Sequence, residues 1–189
     1  MSQVTATTST VGGSKAAAKL TASAPFRLGM RTLVAGVSVI TAHGPGGVPL
    51  GLTATSVSSL SADPPSLLVC VNRQKDIASA LVAGAAFAVN VLTDSQVMIA
   101  QAFGGQLSAR GADRFAHGTW HRSREGEVPL LLGCRAAFEC RVAHVHDWET
   151  HHIVIGSVVD VHFFAPDEPP LAYCDGDYRS VSPLSSSGQ

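Results

Sequence analysis

Acidic residues are missing from the first third of this chain. No Asp or Glu precedes Asp63, whereas Lys15, Lys19, Arg27 and Arg31 do. That stretch offers an anionic ligand no carboxylate repulsion. Charge is scarce throughout, at 14% of residues against 46% apolar, and the formal net charge is −1. Bulk electrostatics therefore give no attraction to nucleic acid or to a membrane surface. A chain so poor in charge tends to bury apolar surface against a partner subunit. No apolar run approaches the ~20 residues of a membrane span. Residues 1–24 are rich in Ser, Thr and Ala and lack the apolar centre of a secretory signal, so they read as a disordered tail. None of the cysteines (Cys70, Cys134, Cys140, Cys174) belongs to a C-x-x-C pair. Three lie in apolar runs, where a thiol behaves as a small hydrophobe. They read as free thiols of a reducing cytoplasm, without structural zinc. Ser-His-Asp order, G-x-S-x-G and H-E-x-x-H are absent too, and no Gly-Lys-Ser follows the glycines of His43–Gly47. The usual hydrolase and P-loop signatures are therefore lacking.

What is present centres on Gly51-Leu-Thr-Ala-Thr-Ser-Val-Ser-Ser-Leu-Ser-Ala-Asp-Pro-Pro65, followed by Ser66-Leu-Leu-Val-Cys-Val-Asn72. Six of the nine residues from Thr53 to Ser61 carry a hydroxyl. The run after the prolines is apolar and reads as a buried strand. Hydroxyls beside a core need hydrogen-bond partners. Local side chain to backbone bonds could supply them, and so could a flat, polar-edged heterocycle with a phosphate tail.

Around this stretch the pattern is mostly strand. Pro25–Val34 is a short amphipathic helix with Phe26, Met30, Leu33 and Val34 on one face. Val37–Ala42 is a strand, turned back at His43–Gly47. Asp76 can cap a helix through Ala78, Leu81 and Val82, and Asp94 a second from Ser95 to Phe103. Ala86–Leu92 is a strand between them. Gly104–Arg114 reads as a polar loop. Ala136–Val145 and Thr150–Val161 form an antiparallel pair, and Leu171–Val181 is a last strand with a glycine turn inside it. The fold class is mainly β, a β-barrel with a few helices, and not a layered parallel sheet. The expected organisation is one domain over 25–181 with tails at 1–24 and 182–189.

The wording of the central stretch resembles the flavin-binding segment of the flavin reductase-like family. Its members carry G-hydrophobic-T/A-A-x-S-hydrophobic-x-S/A-hydrophobic-S-x-x-P-P before an apolar strand. The likeness covers roughly residues 25 to 181 and is strongest to the reductase partners of aromatic-ring hydroxylases. It implies a split β-barrel of the FMN-binding type, a homodimer, and FMN or FAD as the flavin. It also implies NADH or NADPH as hydride donor and a separate monooxygenase receiving the reduced flavin.

Residue by residue, the likeness points to Thr53, Ala54, Thr55 and Ser56, and to Cys70, Val71 and Asn72, as flavin contacts. The phosphate is expected near the start of the helix after Asp76, where Arg73, Lys75 and Ser79 are candidates. Glu149-Thr150-His151, before Ile153-Val-Ile-Gly-Ser-Val158, matches a family Gly-Thr/Asp-His triplet. His151 is the implied nicotinamide-docking residue, with Thr150 beside it, and Glu149 departs from the family glycine. Tyr173 and Gly176-Asp-Tyr178 match a closing aromatic-x-x-G-x-Tyr, so Tyr178 could cover the flavin or the nicotinamide. Phe103 matches a position near the cofactor or the dimer seam. For both, plain packing is an equal alternative.

Two further readings stay open. His144, His146, His151 and His152, with Asp147 and Glu149, could meet around a metal; an exposed polar hairpin tip without metal is preferred. A flavin carrier or sensor without reductase activity would also explain the central stretch, and so, more remotely, would kinship with pyridoxamine phosphate oxidases or haem-binding split barrels.

Overall fold

The computed structural model describes residues 15–123 and 128–184, with side chains from residue 23 onward. The chain divides after Leu33 into two units. Among the described residues the first holds one helix, α1 (Lys15–Arg31). It starts at Lys15 and not at Pro25, because Ala16-Ala-Ala-Lys-Leu20 is a run of strong helix formers. Residues 15–24, assigned above to the tail, are thus helical; residues 1–14 and 185–189 lie outside the described residues. Pro25 sits inside this helix, where its missing N–H removes one hydrogen bond.

The second unit runs β1 (Ala35–Gly36), β2 (Ser38–His43), β3 (Pro49–Ala54), β4 (Val57–Ala62), β5 (Pro65–Asn72), β6 (Ala86–Val91), helix α2 (Val97–Gly104), β7 (Trp120–Arg122), β8 (Pro129–Leu131), β9 (Ala136–Trp148), β10 (His151–Phe163), β11 (Leu171–Cys174) and β12 (Asp177–Ser180). Seven strands form one antiparallel sheet in the order β3-β2-β6-β9-β10-β5-β4. β3 and β4 are its opposite edges, yet Ala54 ends one and Val57 begins the other. Three extended residues reach ~11 Å at most. The two edges must therefore meet, and the sheet curls upon itself. Among the described residues no ladder joins β3 to β4 or β5, so the curl stays open along a seam. The architecture is mainly β and consistent with the expected split barrel.

Alternation along the strands fills two cores. Ile40, Leu52, Val69, Phe87, Cys140 and Val154 pack together from one face of the sheet. Val39, Ala88 and Ala137 point to the other face, beneath α2 and the β7–β8 hairpin, among Phe103, Leu130 and Leu131. Gly156 marks how tightly the first core is filled. A Cβ there would stand 2.4 Å from Phe87 Cζ and 3.2 Å from Cys140 Cβ. Gly156→Ala should therefore destabilise the chain by about 1–3 kcal/mol through overpacking, read as a lower midpoint in urea at unchanged slope.

Two local expectations change. The segment after Asp76 is a short 3-10 helix, Asp76–Ala80, with no side-chain cap, because the chain must turn at Gly84 (φ 82) before entering β6. A 3-10 turn (Asp94–Gln96) leads into α2, and its cap is Thr93, not Asp94. The Thr93 N–H donates to Gln96 Oε1 at 3.1 Å. The Asp94 carboxylate instead accepts from Ser180 Oγ at 2.6 Å, which ties β12 to the start of the helical segment. Asp175 and Gly176 both have positive φ, as a tight β11–β12 hairpin requires.

Candidate functional site

Two halves of the site come from the two sides of the seam. On one side, β5 pairs with β10 so that Asn72 faces His151, Val71 faces His152 and Cys70 faces Ile153. Cross-strand partners share a face. Cys70, Asn72 and His151 therefore stand together on one face. Val71 points the other way and is fully buried, so only its backbone can meet a ligand. The same holds for Ala54, at 6% exposure. The bend at Thr55 and Ser56 is exposed and lies against this half. The Ser56 carbonyl accepts from Cys70 N–H at 3.2 Å, and Ser56 Oγ donates to the Cys70 carbonyl at 2.9 Å.

Asn72 divides its amide between two tasks. Its Oδ1 accepts from Gln74 N–H at 2.9 Å, holding the turn after β5. Its Nδ2 donates to none of the described residues and is left for a ligand acceptor. His151 is exposed, and its Nδ1 lies 2.8 Å from Thr150 Oγ1, which orients the ring.

The β9–β10 tip is held from below. Arg73 N–H donates to the Thr150 carbonyl at 3.0 Å, Arg73 Nη2 lies 3.7 Å from Asp147 Oδ2, and His152 Nδ1 is 2.6 Å from Asp147 Oδ1. Arg73 thus braces the hairpin. The pairing also separates the tip histidines. His144, His146 and His151 share one face, while His152 is on the other with Asp147. Among the described residues, the tip gathers no three ligating atoms.

Glu149 has φ 49, in the left-handed region that glycine enters freely. The glutamate therefore adopts the backbone a glycine would, under strain. Glu149→Gly should raise stability by about 1 kcal/mol, seen as a higher thermal midpoint with the hairpin unchanged.

The other half is built on β3 and α2. Thr53 Oγ1 donates to the Ala100 carbonyl at 2.7 Å, so its hydroxyl fastens β3 to α2 and keeps only acceptor capacity. Phe103 is 3% exposed and meets Phe115 and Trp120 edge-on, with centroids 4.9 Å and 5.5 Å away. A Cβ on Gly51 would come within 2.6 Å of that ring. Phe103 is thus a packing residue that also forms the cleft wall. Tyr178 packs against Tyr173 at 5.3 Å, with its hydroxyl near Gly104. Burial, then the neighbouring Tyr173, raises its pKa above the ordinary phenol value. It remains an O–H donor at neutral pH.

Between the halves lies a cleft of about 190 Å³, lined by Leu50–Leu52 of β3, Gln74–Asp76 beyond β5, Phe103, Gly105, Gly111 and Arg114. Its cations are Lys75 and Arg114. Arg114 Nη1 donates to the Gly51 carbonyl at 3.2 Å, and its Nε is buried without a partner. A buried guanidinium N–H with no acceptor suits an anionic guest. Among the phosphate candidates Lys75 therefore stands out. Ser79 is exposed, with its hydroxyl on the Asp76 carbonyl at 3.0 Å, and does not line the cleft. Arg114, not among the candidates the sequence pointed to, lies in the 3-10 helix Gly111–His117, partly within the segment expected to be a loop. The only signal was a lone arginine beside the aromatic Phe115.

All four cysteines are free thiols. Burial pushes Cys134 and Cys140 up to about 12, so neither supplies a thiolate at neutral pH. Among the described residues no helix is long and apolar enough to cross a membrane.

Comparison with known proteins places these features among relatives. Residues 30–182 match the model of the flavin reductase like domain. The chain is 38% identical over 159 residues to the reductase component of the FADH(2)-dependent resorcinol hydroxylase of Rhizobium sp. (strain MTP-10005), covering 84% of this chain and 87% of that protein. It is 36% identical over 157 residues to the FMN reductase (NADH) RutF of Agrobacterium fabrum, covering 83% and 87%. Among solved structures, the Streptomyces globisporus NADH:FAD oxidoreductase SgcE6, in complex with NAD and FAD fragments, superposes with a TM-score of 0.78. Identity is 28%, covering 87% of this chain and 95% of that one. BorF, the flavin reductase component of a bacterial two-component tryptophan halogenase, gives 0.76 at 28% identity, covering 85% and 99%.

Proposed function

The chain belongs to the flavin reductase-like family, and from that membership we propose that it is an NADH-dependent flavin reductase serving a separate monooxygenase. The observation that carries this reading is the cleft along the seam. Two cations, one with an orphaned Nε, line it, and so does Gln74, whose N–H donates to the half-free Asn72. Those residues fit a flavin mononucleotide. Thr53–Ser56 and the backbone at Ala54 and Val71 would line its ring, Asn72 Nδ2 would donate to a ring carbonyl, and Lys75 and Arg114 would hold its phosphate. When bound, the flavin supplies a hydride acceptor that later passes electrons onward.

The protein's own part is placement. His151, oriented by Thr150, would hydrogen-bond the nicotinamide on the face it shares with Cys70 and Asn72. The Arg73–Asp147–His152 links would keep the tip from swinging away. Hydride transfer needs ring contact and exclusion of water more than an acid or base. FMN and NADH are the proposed pair, because relatives named FMN reductase (NADH) recur. FAD would be admitted if its adenylate extends out of the cleft.

Glu149 bears on the carrier or sensor alternative. It keeps the backbone bend that glycine would give, so its presence does not misplace His151, and this supports the reductase over the carrier. Purified protein given FMN and NADH should oxidise NADH and consume oxygen. No turnover with either nicotinamide and either flavin would reject the proposal.

Exposed Leu60, Val159 and Phe163 on the sheet, together with the low charge, support a homodimer. Four free thiols suit a reducing, cytoplasmic setting.

A further inference from the structure

One group of ligating side chains shares no residue with the flavin cleft. Glu139 of β9 is the directly opposed partner of Asp160 of β10, just past a register break after Val158. His162 lies two residues further on and so on the same face. Its Nε2 is 2.5 Å from Glu139 Oε1 and 3.4 Å from Asp160 Oδ2. The three ligating atoms lie within 4.8 Å of one another. Glu139 is 2% exposed, and its Oε2 is buried without any hydrogen-bond partner.

A carboxylate this deep with an orphaned oxygen is unfavourable unless another group completes it. The imidazole reaches only Oε1, so an ion pair with His162 leaves half the carboxylate unsatisfied. We propose that Glu139, Asp160 and His162 form a binding site for a divalent transition metal, zinc by ligand type. One imidazole and two carboxylates are a suitable donor set. Tetrahedral zinc with bonds of about 2.0–2.2 Å spaces its donors roughly 3.3 Å apart, which a small movement of His162 away from Glu139 would provide. Asp160 is half exposed and gives the ion a route in from solvent. The metal would tie β9 to β10 at the register break, far along the hairpin from its tip, and would leave a fourth position for water.

The test uses the full chain, stripped with chelator, and titrated with Zn2+ by calorimetry and with Co2+ by visible absorption. The expected results are one Zn2+ per chain, a d–d spectrum with Co2+, and a thermal midpoint that rises with Zn2+. Asp160→Asn and His162→Ala should each weaken Zn2+ binding by about 10- to 100-fold or more, while His146→Ala, at the hairpin tip, should leave it unchanged. Asp160→Asn, at a half-exposed position, decides the matter if His162→Ala does not fold. Absence of saturable Zn2+ binding, or Zn2+ binding left unchanged by Asp160→Asn, would overturn the proposal. Neither result depends on flavin or NADH.

Discussion

His151→Ala should lower kcat/KM for NADH by about 10- to 100-fold, while flavin affinity stays within about twofold. Loss of one hydrogen bond to a polar cosubstrate removes about 1.5–3 kcal/mol, and each 1.4 kcal/mol is tenfold. The side chain is exposed and borders the seam on the Asn72 face, so its removal empties no core. The fall should reside mainly in KM if His151 only docks the nicotinamide, and should reach kcat if it also fixes ring stacking. Steady-state kinetics at saturating FMN, alongside fluorescence titration of FMN, separates the two. An equal loss of FMN affinity would place the imidazole on the flavin itself.

Arg114→Ala should weaken FMN binding by about 10- to 100-fold and riboflavin binding by less than about twofold. The guanidinium enters the cleft floor through its bond to the Gly51 carbonyl and leaves Nε unmatched. A phosphate there completes both Arg114 and Lys75. Because riboflavin lacks the phosphate, it isolates that contribution from ring contacts. If riboflavin and FMN lose affinity alike, Arg114 supports the β3 edge and not the anion. Higher salt should narrow the FMN–riboflavin difference in the parent.

Much of the fold around this candidate site is legible in the sequence. Hydroxyl density between Thr53 and Ser61 marked the bend, and period-two alternation marked β9 and β10. The family likeness singled out Asn72 and His151, which β5–β10 pairing places opposite each other. What stayed hidden depends on contacts distant in sequence. The curl follows only when the sheet order puts β3 and β4 at opposite edges. Arg114 matters because its segment returns to Gly51, 63 residues earlier. Thr93 outcompetes Asp94 as cap because Gln96 completes a reciprocal bond while Ser180 engages Asp94. The Glu139–Asp160–His162 group depends on a register break within a hairpin, whereas the histidines that looked clustered in sequence are divided between two faces.

The most direct test of the central claim is a crystal structure grown with FMN. The isoalloxazine should lie against Thr53–Ser56 and Asn72, with the phosphate toward Lys75 and Arg114 and one ring face open toward His151. A flavin bound elsewhere, or a seam filled by the protein's own side chains, would contradict it.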